Sequence, residues 1–216
     1  QLCRVAEENH NGWYNKIFSA AYDPVMGLVE KNALAARRAH LLSPLQGKIL
    51  ELGCGTGVNF GFYREGAHVL ALEPSDAMRT QAEDRLARGD IKARIRVVPW
   101  LLGDTRFDAA VSDASLDAVV CTLVLCTVSD PAATLARLKR LLKPSGRLIA
   151  LEHVRAKTEF GAIAQNLLNP MWRHLADGCQ LNRDTHATIT KAGFAAEEKS
   201  DFEFGLPFIS GVYAHA

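Results

Sequence analysis

The chain has 216 residues, 48% of them hydrophobic and 23% charged, with a formal net charge of +1. This length suits one α/β domain and is short for two. No segment stays apolar over the ~18 residues that a membrane span needs, and basic residues are interspersed with acidic ones. We therefore expect no integral membrane span in this chain and no nucleic acid partner.

The cysteines are odd in number and none are spaced as Cys-x-x-Cys; they are Cys3, Cys54, Cys121, Cys126 and Cys179. This usage argues against a disulfide framework and against a zinc cluster, so we expect no metal. A reducing, cytoplasmic location fits this usage. The first residues are polar and charged, so no signal peptide is expected.

The first half of the chain predicts strands that alternate with helices. Apolar positions at helical spacing between residues 12 and 42 predict two helices, broken near Asp23-Pro24. Strands are then predicted over residues 47–52, 69–72, 95–98 and 116–124. Helices are predicted over residues 58–64 and, with Ser75 as the N-cap, up to about residue 87. Residues 99–115 are predicted to be irregular.

The second half continues this alternation and then ends in a strand pair. Asp130-Pro131 predicts the start of a helix that stops at residues 143–146, before a strand over 147–153. Helical patterns over 161–192 are interrupted at Asn169-Pro170 and Asp177-Gly178, and strands follow over about 195–203 and 207–214. This order predicts a doubly wound, Rossmann-like α/β fold. Its seven-stranded sheet would be mostly parallel, with an antiparallel C-terminal strand pair.

The most informative motif is the run Ile-Leu-Glu-Leu-Gly-Cys-Gly-Thr-Gly at residues 49–57. An apolar strand leads directly into three glycines, which allow a sharp turn and a close approach to a ligand. Glu73 ends the next apolar run, where α/β nucleotide sites place the acid that holds ribose hydroxyls. A dinucleotide fingerprint would need a third glycine where Val58 or Phe60 stands, so NAD is disfavoured.

The pattern Glu-x-Gly-x-Gly-x-Gly resembles motif I of the class I S-adenosylmethionine-dependent methyltransferases. The resemblance implies the class I methyltransferase fold over residues 47–216, helices of residues 1–46 as a cap on the active site, and S-adenosylmethionine as the cofactor. It places Asp104 at the adenine amino group, although a solvated loop acid is the alternative. The cofactor-binding residues it implies are Glu51, Gly53, Cys54, Gly55, Gly57, Glu73, Pro74, Asp104, Thr105, Cys121 and Thr122.

Motifs further along the chain bear on the methyl acceptor. The Asn/Asp-Pro-Pro-aromatic clamp of many nitrogen methyltransferases is absent after the fourth strand. Instead, the segments 119–126, 152–154, 165–172 and 177–183 resemble those of the membrane-associated alkyl-thiol methyltransferases of the methyltransferase-like group. The resemblance implies a small, apolar thiol as acceptor. It is weak before residue 47, where that family has a hydrophobic anchor and this sequence shows none, so the resemblance does not carry membrane association over to this chain.

Two histidines are candidates for the catalytic base. His153 ends the fifth predicted strand, and His174 lies on a predicted helix that would roof the pocket. A loop-ordering role for His153 and a surface role for His174 are the alternatives.

Other residues near this site have structural interpretations. We expect Asp177, Cys179 and Arg183 to shape the lid and Cys121 and Cys126 to lie in the core. Three aromatic residues could close the pocket from the N-terminal side, with ordinary helix packing as the alternative; they are Trp13, Tyr14 and Phe18.

Two other functions stay open at this point. The same enzyme class could methylate an oxygen, carbon or nitrogen of a natural product, a quinone precursor or a lipid. A cofactor-binding protein without catalysis is the third hypothesis. The oligomeric state is not predicted.

Overall fold

The computed structural model describes residues 34–176 and 178–216. The helix predicted before Asp23-Pro24 therefore lies outside the described residues. The strands are β1 (Gly47–Leu52), β2 (Ala67–Leu72), β3 (Arg94–Val98), β4 (Leu116–Thr122), β5 (Leu142–His153), β6 (Phe194–Phe204) and β7 (Leu206–His215). They form one seven-stranded sheet in the order β3-β2-β1-β4-β5-β7-β6. Strands β1 to β5 pair in parallel, and β7 is antiparallel to both β5 and β6. The predicted fold class is confirmed.

Helices and strands alternate along the described chain. The helices are α1 (Ala35–Leu42), α2 (Asp76–Ala87), α3 (Thr105–Ala110), α4 (Pro131–Leu141), α5 (Glu159–Leu175) and α6 (Thr185–Lys191). Five begin at a side chain that accepts a hydrogen bond from a first-turn amide, as N-caps do; the caps are Ser75, Asp104, Asp130, Thr158 and Asp184. None of the helices in the described part of the chain combines the length and apolar character that a membrane crossing requires.

Two apolar clusters cover the two faces of the sheet. Leu50 and Val119 belong to one cluster, and their sequence neighbours Ile49 and Val120 belong to the other. Side chains alternate across a strand, so these continuous apolar strands must be covered on both sides. The polar groups of the site are consequently confined to the carboxyl ends of the strands and the loops that follow them.

Two predictions in the first half were wrong, one of a helix and one of an irregular segment. Residues 58–64 form only a single 3₁₀ turn, Phe60–Phe62, because Gly57 and Gly61 weaken a helix in so short a segment. Residues 99–115 are not entirely irregular, since they contain α3. The Asp104 side chain accepts from the Arg106 amide and starts this helix.

Two predictions in the second half were also wrong. Helix α5 runs through Pro170 without a break, although a proline removes one backbone hydrogen bond. Buried Gln165 and Asn169 fasten this helix to neighbouring loops, which offsets that loss. Strand β5 begins at Leu142 rather than near residue 147, because the ladder with β4 extends back to the pair Leu116–Leu142.

Candidate active site

The loop after β1 is shaped by glycines in the left-handed region. Gly53, Gly55 and Gly57 have φ angles of 63°, 56° and 76°, which side-chain-bearing residues rarely adopt. A Cβ on Gly53 would lie 2.7 Å from Val124, and one on Gly57 would lie 2.6 Å from the Phe60 ring. A Cβ on Gly55 would meet no described atom within 4 Å. Gly55 therefore faces open space, where a ligand can approach the backbone closely.

Glu73 lies beside this open space at the end of β2. Its Oε2 accepts a hydrogen bond from the Gly55 amide at 2.8 Å, and its Oε1 accepts one from the Ser75 amide at 2.9 Å. A carboxylate oxygen has two lone pairs and can accept from more than one donor. The loop amides orient this carboxylate at the position where α/β nucleotide sites hold ribose hydroxyls.

Glu51 lies beneath the loop, in a buried polar network. Its carboxylate accepts from Asn59 Nδ2 at 2.7 Å and from the Tyr63 hydroxyl at 2.9 Å. Asn59 also donates to Thr122 Oγ1 at 2.9 Å and accepts from Arg38. Desolvation raises the pKa of Glu51 to about 7, although hydrogen bonds from Asn59 and Tyr63 oppose the shift. These contacts support the loop from below, and direct contact of Glu51 or Thr122 with the cofactor stays a prediction.

The remaining predicted cofactor residues differ in their surroundings. Cys54 is buried within the glycine loop, and Cys121 is fully buried in the core cluster that includes Val119. Asp104 forms an ion pair with Arg106, which lowers the pKa of its carboxyl. Thr105 is exposed and Pro74 is half-buried. The contacts of these residues with the cofactor, adenine included, stay predictions.

A second group of polar side chains lies at the ends of β4 and β5. His153, the last residue of β5, places Nε2 2.8 Å from Cys179 Sγ. Both side chains are buried. The indole Nε1 of Trp172 donates to the same sulfur at 3.3 Å. His153 Nδ1 is also buried and has no hydrogen-bond partner among the described residues.

Cys126 completes this group and influences the protonation of Cys179. A hydrogen bond from Cys126 is the largest contribution lowering the pKa of Cys179, and the bond from His153 acts in the same direction. The pKa of Cys126 is raised correspondingly. Burial alone would lower the pKa of His153, but the interactions with Cys179 and the charge of Glu152 outweigh it and raise this pKa. The Cys179 sulfur and the Glu152 carboxylate therefore make His153 a stronger base.

Glu152 holds the turn after β4 in place. Its Oε1 accepts from the amides of Val124 and Leu125, each at 2.9 Å. The preceding residue, Leu123, has a φ of 55°, a strained conformation that is common near functional sites. Desolvation raises the pKa of Glu152 to about 7. Sequence reasoning placed Glu152 in a family motif without assigning it this role.

One face of α5 fastens the loop after β5 and the loop that carries Cys179. Gln165 accepts from the Ala156 amide at 2.7 Å, and Asn169 accepts from the Leu181 amide at 2.8 Å. Trp172 continues the same face, because the three residues follow one another by four and three positions. His174, the second predicted base, is exposed on this helix, so the structure brings only His153 to the cysteines. The residue motif from 165 to 172 thus positions the loop that carries Cys179.

Several functional residues were missed or lie beyond the described chain. Arg38, Asn59 and Tyr63 were missed, because nothing in their spacing marks them as partners of Glu51. The candidates Trp13, Tyr14 and Phe18, and the side chain of Asp177, lie outside the described residues. Arg183 donates to the Leu125 carbonyl at 2.6 Å, in keeping with the expected lid-shaping role.

One cavity among the described residues lies apart from this site. It has a volume of about 800 Å³ and is lined by residues that include Ala114, Leu142 and His215. Ala114 precedes β4 and Leu142 begins β5, so the cavity lies at the amino edge of the parallel strands. The glycine loop follows the carboxyl edge.

Comparison with known sequences agrees with this geometry. Residues 50–150 match the family described as "Methyltransferase domain". Human thiol S-methyltransferase TMT1A is 32% identical over 182 residues, which cover 78% of this chain and 71% of that protein. Human TMT1B is 38% identical over 71% of this chain and 63% of its own length. Rat TMT1B is 37% identical over 68% of this chain and 59% of its own length. The chain thus spans about three-fifths of the TMT1B proteins.

Solved structures agree on the fold. A methyltransferase from Haloferax volcanii, solved with the Trm112 activator, superimposes with a TM-score of 0.64 at 16% identity and covers 96% of this chain and all of that one. A methyltransferase from Bacillus halodurans superimposes with a TM-score of 0.61 at 17% identity and covers 79% of this chain and 72% of that one.

Together these findings place the chain in the class I S-adenosylmethionine-dependent methyltransferases, within the family of the thiol S-methyltransferases. The cofactor of this family is S-adenosylmethionine, and the open space beside Gly55 and the oriented Glu73 carboxylate fit it.

Proposed function

We propose that the chain transfers a methyl group from S-adenosylmethionine to the sulfur of a small apolar thiol. The observation that carries this proposal is the buried pair of His153 and Cys179 at the carboxyl end of β5. Identity of 32–38% to thiol S-methyltransferases over most of this chain supports it. The bound cofactor would supply an electrophilic methyl group on a positively charged sulfur, and the chain would have to align and deprotonate the acceptor.

Deprotonation is where a thiol needs the protein. A free thiol has a pKa of about 8.5, so only a few per cent is thiolate at pH 7. Full ionisation would raise the rate by ~30-fold, equivalent to about 2 kcal/mol. A base of moderate strength is therefore sufficient.

His153 is suited to this task in one tautomer. With Nε2–H donating to the Cys179 sulfur, Nδ1 carries the lone pair and can accept the proton of the acceptor thiol. The Cys179 thiolate would then stabilise the imidazolium that forms. Cys179 is a positioning residue in this scheme, and Trp172 and Cys126 help to hold its charge.

Apolar residues lie near the base. The Phe208 ring meets the His153 ring edge-on at 6.4 Å between centroids, and Val124 and Leu125 are buried in the turn held by the neighbouring Glu152. Such surroundings suit an acceptor that is apolar around its nucleophile, and they exclude water from the reacting sulfur.

A matched acceptor series tests the proposal. The purified chain is incubated with S-adenosylmethionine and an alkyl thiol, or with the alcohol and the amine that carry the same alkyl group. Mass spectrometry measures the methylated product and S-adenosylhomocysteine. We expect methylation of the thiol only. Methylation of the alcohol or amine without the thiol would refute the acceptor assignment.

A quinone precursor is the second candidate acceptor. A demethylmenaquinone methyltransferase from Clavibacter sepedonicus is 35% identical over 62% of this chain. That similarity supports a ring carbon or oxygen as the acceptor, which also tolerates an apolar pocket. Adding a quinol to the series distinguishes the two candidates. Methylation of the quinol would have no dependence on the ionisation of a thiol.

The cap predicted for residues 1–46 remains part of the proposal. In its described part, α1 packs Leu41 and Leu42 into the core cluster, and Arg38 reaches the network beneath the glycine loop. Helix α5, whose Trp172 contacts Cys179, also exposes large apolar side chains, including Leu167 at 80%. We expect this face to border the acceptor entrance, so replacing Leu167 with Ser should raise KM for the acceptor and leave cofactor affinity unchanged. Unchanged kinetics would show that the exposed face of α5 lies away from the entrance.

A further inference from the structure

Three potential metal ligands converge beside the proposed base. Cys126 lies in the loop after β4, His153 ends β5, and Cys179 follows α5. One ligand atom from each, two sulfurs and an imidazole nitrogen, lie within 4.8 Å of one another, and all three residues are buried. Spacing along the chain does not predict this group, because the ligands come from three separate elements.

Backbone hydrogen bonds of the surrounding scaffold hold the three ligands in place. The Gln180 amide donates to the Cys126 carbonyl at 3.0 Å, which joins the loop of Cys179 to that of Cys126. Arg183 donates to the Leu125 carbonyl at 2.6 Å, next to Cys126. His153 is fixed in the ladder through its partner Phe208. The site is therefore organised before any ligand binds.

The donor set is that of a thiophilic cation. Two cysteines and one histidine bind zinc in catalytic sites that keep a fourth position open. Bond lengths of ~2.3 Å to sulfur and ~2.0 Å to nitrogen in a tetrahedron imply ligand separations of roughly 3.5–3.8 Å. The 2.8 Å between His153 Nε2 and Cys179 Sγ would have to open by less than ~1 Å. Such a movement is within reach of side-chain rotation.

We propose that Cys126, His153 and Cys179 form a binding site for a thiophilic divalent cation such as Zn²⁺, and that the bound cation switches methyl transfer off. Two metal–sulfur bonds replace the thiol protons, which pass to the buffer. The lone pair of His153 Nε2 forms the third bond, so the imidazole proton resides on Nδ1. Nδ1 can then no longer accept a proton from the acceptor. The inhibitory part rests on the proposed function, whereas the binding part does not.

Cobalt binding tests the site without any assay of activity. The reduced full-length chain, kept in a phosphine reductant, is titrated with Co²⁺, and thiolate-to-cobalt charge-transfer absorption is recorded. We expect saturation at one equivalent, displacement of cobalt by Zn²⁺, and one zinc per chain by elemental analysis. Absence of charge-transfer absorption in the folded chain would overturn the proposal.

Cysteine variants identify the ligands. We expect Cys126→Ser and Cys179→Ser each to weaken cobalt affinity at least ~100-fold, whereas Cys121→Ala, in the core, should bind normally. Cys3→Ser excludes adventitious binding by a cysteine outside the described residues. His153→Gln serves as the second test if a cysteine variant fails to fold. Equal affinity of the cluster variants and the controls would refute the assignment.

The inhibitory part is tested by activity. One equivalent of Zn²⁺ should lower the methylation rate of the wild-type chain at least ~10-fold, and a chelator should restore it. Cys126→Ser, compared with its own metal-free rate, should resist this inhibition. Inhibition that persists in Cys126→Ser, or activation by zinc, would refute the switch. If no acceptor is methylated at all, the cobalt titration still decides whether the site exists.

Discussion

Replacing Glu73 with Gln should weaken S-adenosylmethionine binding more than any change of the same size on the surface. The two oxygens of Glu73 accept from the amides of Gly55 and Ser75 at 2.8 and 2.9 Å. Glutamine has one oxygen and one NH₂ group, so it can satisfy only one of these amides. Its NH₂ group would face the other backbone amide, and because both groups are donors no hydrogen bond could form.

The size of the loss follows from these contacts. A buried amide left without an acceptor costs about 1–3 kcal/mol, and hydrogen bonds to a charged group are worth about 1.5–3 kcal/mol compared with about 1 for neutral ones. Part of the first cost falls on the stability of the free protein, since the Gly55 amide loses its partner before the cofactor binds. We therefore expect cofactor affinity to fall by about 2–3 kcal/mol, or ~30- to 150-fold in Kd.

Isothermal titration calorimetry with S-adenosylmethionine and S-adenosylhomocysteine measures this change. Glu83→Gln is the matched control, because Glu83 is an exposed carboxylate on α2 that only borders Arg79. The control should bind like the wild type. If Glu73→Gln is folded and binds within threefold of the control, the ribose is not held at Glu73 and the cofactor site has been placed wrongly.

Three further predictions concern the loop, a buried acid and the base. Gly57→Ala should lower the melting temperature more than Gly55→Ala, because both variants carry the strain of a positive φ but only the Cβ at position 57 would overlap the Phe60 ring. Gly55→Ala should bind the cofactor at least ~10-fold more weakly by calorimetry, because its Cβ would occupy the open space where the cofactor is expected. Burial raises the pKa of Glu152 from 4.5 to about 7, so its contribution to stability is full below pH 4.5 and is lost as the pH rises through 7. Urea unfolding should therefore show Glu152→Gln gaining about 3 kcal/mol relative to wild type between pH 4.5 and about 8, and a pH-independent difference would contradict the shift. His153→Ala should lower kcat by up to ~30-fold at neutral pH, with most of the loss recovered as the acceptor thiol ionises at higher pH; a flat pH profile of the variant would speak against a thiol acceptor.

The order of the elements could be predicted from the sequence because it depends on local signals. Apolar runs bounded by glycine located the strands, and side-chain caps such as Ser75 and Asp130 located helix starts. The errors fell where distant contacts override local preference. Nothing near Pro170 indicates that Gln165 and Asn169 fasten the helix to loops on either side of it.

The site divides in the same way. The turn of the glycine loop and the position of Glu73 beside it were predictable, because both depend on backbone conformation and spacing within one β-α-β unit. Their contact with the cofactor stays a prediction. The partners of Glu51 and the approach of Cys126 to Cys179 depend on how separate elements meet in space. Their sequence separations carry no periodicity, so only the folded chain brings them together.

The order of the strands explains why both halves of the site can serve one reaction. Strand β1 carries the glycine loop and has β2 on one side and β4 on the other, so the crevice for the cofactor opens where the winding of the sheet reverses. Strand β5, which ends at His153, lies directly beyond β4. Neighbouring strands are about 4.8 Å apart, so the base lies roughly 10 Å across the sheet from the loop. That span is short enough for one bound cofactor to reach from the loop beside Gly55 towards an acceptor held at β5. An acceptor entering at the amino edge, where the cavity of about 800 Å³ lies, would be separated from the loop by the length of the strands.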